Sequence, residues 1–187
     1  MRVRNVHARR FAASAGAVGQ LIDGLSSADD RLWPRDRWPA MRFDRPLGVG
    51  AVGGHGPIRY TVETYVPGRS VRFRFAAPHG FLGTHQYEVE ALATGGTILR
   101  HVMTMDAVGS ARLTWPLVFR PLHDALIEDS LDCAAVALGE ARVGALWSPV
   151  VRVLRAALRT VGRIAHARQH SAGERGARHR GASAHEE

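Results

Sequence analysis

Residues 83–109 read GTHQYEVEALATGGTILRHVMTMDAVG, and they decide the fold. Two runs in which apolar and polar residues alternate flank Gly95 and Gly96, which is the pattern of a β-hairpin. A three-residue loop over 94–96 pairs Ala93 with Thr97 and keeps the odd-numbered residues of both runs on one face. This register predicts the following facing pairs: Tyr87 with Met103, Val89 with His101, and His85 with Met105.

The shared face of this hairpin combines soft apolar side chains with His85, Tyr87 and His101. The opposite faces carry Gln, Glu, Arg, Thr and Asp side chains, which favour contact with water. An inward face that is apolar and yet holds two histidines and a tyrosine is typical of a ligand cavity rather than of a dry core. The hairpin therefore predicts a fold that encloses a cavity, and it leaves the ligand open.

The composition fits one globular domain with an extension. The chain has 187 residues, 45% of them hydrophobic, and all 25 of its basic residues are Arg. The net charge of +8 is concentrated in residues 145–187, which hold 8 Arg and 3 Glu. The single Cys133 excludes an internal disulfide and fits a reducing compartment. Because no secretory signal or membrane-spanning run is apparent, we expect a cytoplasmic protein, either free or peripheral at the inner membrane surface.

The first half of the chain predicts a strand, a helix, a flap and further strands. Residues 2–12 predict the opening strand, and Ser14 is a suitable N-cap for a helix. That helix has apolar residues at helical spacing: Val18, Leu21, Ile22 and Leu25. Residues 29–44 contain two Trp-Pro pairs and predict a short helix or an irregular flap. In the next two strands, a four-residue loop pairs Val66 with Val71.

After Gly109 the apolar period changes to that of a helix. The apolar stripe from Leu117 to Leu138 predicts one long helix that ends near Gly139 or Gly144. Pro116 fits its first turn, whereas Pro121 either kinks the helix or marks its true start. A set of acidic residues predicts its water-facing side: Asp124, Glu128, Asp129 and Asp132.

Residues 149–168 predict a second helix with a complete separation of apolar and basic faces. The basic face is expected to point at a membrane or a partner through Arg152, Arg155, Arg159 and Arg163. Two interpretations stay open: the helix lies on an anionic membrane surface, or it packs on the domain or on a second copy in a homodimer. Nucleic acid is disfavoured because no recognition motif or stacking platform accompanies the arginines. Residues 170–187 predict a disordered tail.

The order of these elements resembles the SRPBCC superfamily of START-like helix-grip proteins, which includes lipid-transfer domains and polyketide cyclases/dehydrases. The resemblance covers residues 2–143 and rests on GHGPIRY at 54–60, YVPGRSVRF at 65–73, and the hairpin followed by a long helix. It implies an α+β helix-grip fold, in which a curved antiparallel sheet wraps around a long C-terminal helix, with an extra amphipathic helix added. The domains are then 1–144 for ligand binding, 145–169 for the basic helix, and 170–187 for the tail.

The resemblance also implies a cavity for a hydrophobic small molecule or lipid between the sheet and the long helix, with no cofactor. The expected lining is Tyr60, Val62, Phe73, Phe75, His85, Tyr87, Val89, His101, Met103, Met105, Leu122 and Leu126. If the protein is an enzyme, His85 or His101 serves as acid or base and Tyr87 stabilises an oxyanion. The plainer alternative is a pair of core histidines. No metal site is predicted, because His79, His85 and His101 have no shared geometry in the sequence.

Three function classes follow from these observations. The leading prediction is binding, with transport as an extension, of a hydrophobic small molecule or lipid in the cavity. The second is a polyketide cyclase/dehydrase-type enzyme that uses an inward histidine. The third is an interaction module whose core is filled and which encloses no cavity. His55, in a Gly-rich segment, is expected to be only a turn residue.

Overall fold

The computed structural model describes residues 1–144 and 146–158, and it divides into two units, Met1–Leu146 and Trp147–Glu187. The strands of the first unit are β1 (Arg2–Phe11), β2 (Arg42–Phe43), β3 (Val52–His55), β4 (Ile58–Val66), β5 (Ser70–Ala77), β6 (Phe81–Ala91) and β7 (Thr97–Ala107). They form one antiparallel sheet in the order β1-β7-β6-β5-β4-β3-β2. The sheet and a long helix after β7 confirm the predicted α+β helix-grip architecture.

The long helix starts earlier than the sequence predicts and contains a wide turn. It consists of α2 (Ala111–Thr114), a π-helical segment (Trp115–Phe119) and α3 (Arg120–Ala137), after helix α1 (Ala15–Asp23) near the start of the chain. The Arg120 N–H donates to the Trp115 carbonyl, five residues back. Pro121 has no N–H to continue the regular ladder, which explains why the widened turn lies just before it.

Helix α1 confirms the predicted N-cap, because the Ser14 hydroxyl accepts from the Ala17 N–H at 3.3 Å. The apolar residues on which the prediction rested are buried: Val18, Leu21 and Ile22 within the helix, and Leu25 two residues after its end. Gly19 is a weak helix former, but a Cβ there would lie 2.1 Å from the Gly68 carbonyl oxygen. Gly19 therefore lowers the intrinsic stability of the helix but allows its backbone to contact the β4–β5 turn closely.

The β6–β7 hairpin has the predicted face but a different register. Ala91, not Ala93, pairs with Thr97, and Tyr87 faces His101 while His85 faces Met103. The loop is longer than predicted, because the Leu92 N–H donates to the Gly96 carbonyl at 3.0 Å, which closes a turn inside it. A shift of two residues keeps every side chain on its face and changes only which side chains are neighbours.

The β4–β5 hairpin differs because of a β-bulge. Val66 pairs with Ser70, and Val71 pairs with Tyr65, so the predicted Val66–Val71 pair is wrong. The register shifts between Val62 and Thr64, and beyond this bulge the side chains exchange faces. Val66 is accordingly 48% exposed.

Half of the predicted water-facing acidic side of the long helix is buried, so that prediction is wrong for Asp129 and Asp132. Asp129 is 3% and Asp132 is 7% exposed. Asp129 accepts from the Arg37 guanidinium and from Trp38 Nε1, which belong to the flap. The remaining acidic residues of the set contact the inward face of β1. We call this contact the ionic seam, and it consists of Asn5, His7 and Arg9 of β1 with Asp124, Glu128 and Asp132 of α3.

The second unit is described only as far as residue 158. Residues 149–158 are helical, and the Ser148 hydroxyl caps them by accepting from the Val151 N–H. Arg152 is exposed, whereas Arg155 is buried with its guanidinium 3.8 Å from the Trp147 ring centroid. Arg159, Arg163 and the predicted tail lie outside the described residues. None of the helices in the described part of the chain has the length and apolar composition needed to cross a membrane.

Candidate functional site

The inward face of the sheet holds a compact group of polar and aromatic side chains. We call it the interior cluster, and it consists of Tyr60, Phe73, His85, Tyr87 and His101. All five are at most 6% exposed. They reach the same interior because alternate residues of a strand point to one face, and these residues lie on the adjacent strands β4, β5, β6 and β7.

The observed register is what brings the histidines together. Phe73 pairs with His85 across β5 and β6, and Tyr87 pairs with His101 across β6 and β7. His85 and His101 are therefore diagonal neighbours, and His85 Nδ1 lies 3.2 Å from His101 Nε2. In the predicted register, in which His85 faces Met105, the two histidines would be two residues further apart along the strands.

A continuous file of rings crosses the interior from the flap to β1. Trp33 lies 4.7 Å from His55, and His55 lies 6.0 Å from Tyr60, measured between ring centroids. The file continues over further rings at the following centroid distances: Tyr60–His85 at 4.9 Å, His85–His101 at 5.4 Å, His101–His123 at 5.0 Å, and His123–His7 at 5.9 Å. Five histidines thus take part in one connected array.

Several buried polar atoms along this file have no hydrogen-bond partner among the described residues. They are Tyr60 Oη, His85 Nε2, His101 Nδ1 and both ring nitrogens of His123. A buried polar atom without a partner costs about 1–3 kcal/mol of folding free energy. Such atoms are uncommon in folded proteins, and their concentration in one interior indicates that water or a ligand completes their hydrogen bonds.

The histidines of the interior are held in the neutral form. Burial lowers the pKa of His85 and of His101 well below the usual value of 6.5, and neighbouring histidines add to the effect. Burial also lowers the pKa of His55, to about 3. Burial raises the pKa of Tyr60 well above its usual value, so its hydroxyl keeps its proton. Near neutral pH the interior is therefore polar but uncharged.

The neutral His85–His101 pair presents two chemically different ends. Of the two nitrogens in contact, His85 Nδ1 and His101 Nε2, one must carry a hydrogen and donate it in the hydrogen bond, and the other must be unprotonated and accept that bond. In either arrangement, one outer nitrogen is an N–H donor and the other is an unprotonated acceptor. The pair can therefore take up a proton at one end and release a proton at the other by exchanging tautomers.

Tyr87 differs from Tyr60 because its hydroxyl is bonded. Tyr87 Oη lies 2.9 Å from Ser130 Oγ of α3, and the Ser130 hydroxyl donates to the Leu32 carbonyl at 3.0 Å. This chain ties the sheet, the long helix and the flap together. Tyr87 therefore has a structural bond in place, whereas Tyr60 has its hydroxyl available.

The predicted lining residues all lie on the interior side. Ten of them are buried: Tyr60, Val62, Phe73, His85, Tyr87, His101, Met103, Met105, Leu122 and Leu126. Phe75 and Val89 are half-buried. Met103 and Met105 belong to an apolar cluster with Trp115, so they pack as core at the α2 end. A cavity lined by the full set stays a prediction.

A surface groove of about 460 Å³ lies between the flap and the C-terminal half of α3. Its walls include Trp33, Arg35 and Arg37 from the flap and Asp129 and Cys133 from α3. Trp33 is also the first ring of the interior file, so the groove and the interior meet at this side chain. The size is within the range of small-molecule pockets.

Three histidines of the interior were not predicted as site residues: His55, His7 and His123. His55 is not merely a turn residue, because it ends β3 and contacts both Trp33 and Tyr60. His7 alternates with Val3 and Phe11 on β1, which are buried, and this period of two was a usable signal. His123 precedes the buried Ile127 by four residues, which places it on the same face of α3.

Comparison with solved structures supports the fold. CalU16 from Micromonospora echinospora superposes with a TM-score of 0.53 at 13% identity, covering 83% of each chain. A norcoclaurine synthase point mutant from Thalictrum flavum, in complex with a transition-state analogue, gives 0.56 at 15% identity over 74% of this chain and 96% of that one. A protein from Thermobifida fusca gives 0.55 at 16% identity over 73% and 93%. No family profile matches the sequence, and no curated protein matches it.

Proposed function

We propose that this protein binds a small molecule with an apolar body and at least one polar group in the interior between the sheet and the long helix. The observation that carries the proposal is the set of buried polar atoms without partners, at Tyr60, His85 and His101. A carbonyl or hydroxyl group of a ligand would complete their hydrogen bonds, while the aromatic rings around them would contact its apolar body. The proposal includes membership of the helix-grip superfamily that the sequence resembles.

The chemistry of the interior favours a neutral ligand. The histidines are held neutral by burial, and the Tyr60 hydroxyl is protonated. A charged ligand would lose its hydration without gaining an opposite charge. A phenol, ketone or long-chain alcohol fits these groups, and the groove beside Trp33 is the route that we assign for its access.

Native mass spectrometry of the gently purified full chain tests this proposal first. We expect a small-molecule adduct that is lost on denaturation, and its mass narrows the ligand class. No adduct, together with no thermal shift from a panel of lipids and aromatic ketones, would contradict the proposal and favour an interaction module with a filled core.

Two tyrosines provide a matched pair of variants for the same test. Tyr60→Phe removes the unpartnered hydroxyl, and Tyr87→Phe removes one that already has a partner. We expect Tyr60→Phe to weaken ligand binding about 10-fold, the equivalent of one hydrogen bond of about 1.4 kcal/mol, and Tyr87→Phe to leave it nearly unchanged. Equal effects of the two changes would show that the Tyr60 hydroxyl does not contact the ligand.

Catalysis is the second candidate function, and the tautomeric His85–His101 pair favours it. An unprotonated outer nitrogen can remove a proton next to a ligand carbonyl, and the Tyr60 hydroxyl can donate to the oxygen that becomes negative, whereas the predicted role of Tyr87 is disfavoured because its hydroxyl is bonded to Ser130. The test follows deuterium exchange at the α-carbon of 2-tetralone by NMR. A catalyst exchanges faster than buffer, and His101→Phe slows it on the order of 100-fold while 2-tetralone still binds. A carrier protein shows only the buffer rate.

A further inference from the structure

The ionic seam brings two imidazoles and one carboxylate to a single point. One ring nitrogen of His7, one of His123 and a carboxylate oxygen of Asp124 all lie within 4.8 Å of one another. His7 Nε2 is 3.2 Å from Asp124 Oδ1, and His123 Nδ1 is 3.6 Å from the same oxygen. The side chains of His7 and His123 are 13% and 12% exposed, and that of Asp124 is 37% exposed, so the two imidazoles lie below the surface and the carboxylate lies at it.

These separations agree with the geometry of metal ligands. When ligand atoms lie about 2.1 Å from a tetrahedral metal ion, neighbouring ligand atoms are about 3.4 Å apart. The distances of 3.2 and 3.6 Å lie on either side of that value. The third separation, between ring nitrogens of His7 and His123, is at most 4.8 Å.

The groups behind His7 hold it in the orientation of a ligand. His7 Nδ1 is 2.7 Å from Glu128 Oε1, and Glu128 Oε2 accepts from Arg9 Nη2 at 3.0 Å. A metal-bound histidine usually donates its other ring N–H to a carboxylate in this way. This hydrogen bond fixes the ring and makes the metal-binding nitrogen more basic. Asp124 is oriented in turn by Asn5 Nδ2, which donates to Oδ1 at 2.8 Å.

Three buried polar atoms at this point lack a hydrogen bond within the described part of the chain. Both ring nitrogens of His123 and the side-chain oxygen of Asn5 are buried without a hydrogen bond. Leaving an imidazole in that state destabilises the fold, because the ring has lost its water. A bound cation would supply the missing partner for His123.

We infer that His7, His123 and Asp124 bind a divalent transition-metal ion, with Glu128 as a positioning residue. Two imidazole nitrogens and one carboxylate suit Zn²⁺, Fe²⁺ or Co²⁺, whereas Mg²⁺ and Ca²⁺ prefer oxygen ligands alone. The remaining coordination positions are open to water. His123 lies 5.0 Å from His101 between ring centroids, so the ion is adjacent to the interior cluster, but the inference does not depend on the proposed function.

The test uses the full chain, freed of any affinity tag and stripped with EDTA. We expect calorimetry to show that one equivalent of Zn²⁺ binds with high affinity, and we expect bound Zn²⁺ to raise the melting temperature. Co²⁺ is expected to give visible absorption bands typical of a four- or five-coordinate site. Because residues 159–187 carry further histidines, variants must show where the ion is held.

Four variants locate the site. His123→Leu removes a ligand and also an unpartnered imidazole, so we expect the metal-free protein to melt no lower while Zn²⁺ affinity falls by on the order of 100-fold or more. Asp124→Asn is expected to give a comparable loss. Glu128→Gln leaves all three ligands in place and is expected to weaken binding about 10- to 100-fold. His79→Leu changes an exposed histidine elsewhere and is expected to leave the affinity unchanged.

The inference is overturned if the stripped wild-type chain takes up no stoichiometric Zn²⁺, in which case the seam is an ionic contact alone. It is also overturned if His123→Leu binds Zn²⁺ with wild-type affinity. If His123→Leu does not fold, Asp124→Asn decides the question by the same comparison. A metal-dependent rise in melting temperature that disappears in the variants supports the site without any knowledge of an activity.

Discussion

The interior cluster and the ionic seam use the same residue types in opposite ways. In the seam, His7 contacts two carboxylates, and Arg9 contacts Glu128 and Asp132. Burial lowers the pKa of His7, but its hydrogen bonds to Asp124 and Glu128 outweigh burial and raise the pKa overall. In the interior cluster, His85 and His101 meet only other neutral groups, and burial dominates.

The difference shows that burial by itself does not decide what a histidine does. A histidine beside carboxylates has its protonated form favoured, and its hydrogen bonds hold two elements together. A histidine beside aromatic rings and another histidine stays neutral, and its free nitrogen stays available to a ligand. The seam is therefore suited to stability and the cluster to recognition, and four predictions test this contrast.

The largest effect is expected from breaking the seam at Arg9. Arg9→Met leaves Asp132, whose side chain is 9% exposed, without its charged partner. We expect the free energy of unfolding to fall by about 3–5 kcal/mol, measured by urea denaturation. Arg100→Met is the control, because Arg100 pairs with Glu90 on the outer face, where about 1 kcal/mol or less is expected. Similar losses in both variants would mean that the seam is no stronger than a surface pair.

The second largest expected effect is a loss of stability at acidic pH that is caused by His55. The pKa of His55 is about 3 in the folded protein and about 6.5 in the unfolded chain, so below pH 6.5 the unfolded chain binds the extra proton. Stability therefore falls as the pH is lowered, by about 1.4 kcal/mol per pH unit and about 2 kcal/mol between pH 6.5 and 5.

The variant His55→Phe isolates this contribution. It keeps a ring between Trp33 and Tyr60 and removes the titrating group. Between pH 6.5 and 5, we expect the unfolding free energy of the variant to depend less steeply on pH, by up to about 1.4 kcal/mol per pH unit, which corresponds to one proton. Denaturation at several pH values measures this slope. An unchanged slope would show that His55 binds its proton equally well in the folded and unfolded chain.

A smaller loss is expected from Tyr87→Phe. Its hydroxyl bonds to Ser130, which in turn donates to the Leu32 carbonyl. Removing one such hydrogen bond costs about 1 kcal/mol, which thermal denaturation of the ligand-free protein measures. No loss would mean that water replaces the Tyr87 hydroxyl without cost.

The smallest effect has the opposite sign. Tyr60→Phe removes a buried hydroxyl that has no partner in the described structure, so we expect the ligand-free protein to gain up to about 1 kcal/mol. The same change is expected to weaken ligand binding, so the Tyr60 hydroxyl would favour binding while lowering the stability of the ligand-free protein. A loss of stability instead would show that an ordered water already bonds to Tyr60.

Local patterns in the sequence were sufficient for the elements and for part of the site. The alternation around residues 83–109 placed His85, Tyr87 and His101 on the inward face, because a strand has a period of two whatever its partner. The N-cap at Ser14 and the long helix followed from similar local rules. These features depend on residues close together in the chain.

Contacts between distant segments could not be predicted in the same way. The hairpin loop length decided whether His85 and His101 touch, and both registers satisfy the alternation equally well. The acidic residues of α3 looked like a water-facing side, since nothing in the helix indicates that β1 presents His7 and Arg9 to them. Charge complementarity between segments more than 100 residues apart is visible only once both are placed.

The sequence by itself determined the antiparallel sheet, the long helix and which residues of the β6–β7 hairpin face inward, because periodicity and turn chemistry act over a few residues. Only the tertiary structure decided which inward histidines have a lowered pKa, which one has a raised pKa beside carboxylates, and which described buried atoms lack a hydrogen bond. The reason is that protonation and hydrogen bonding depend on distances of a few ångströms between side chains from different elements. Those distances are set when β1, the flap and α3 close over the sheet.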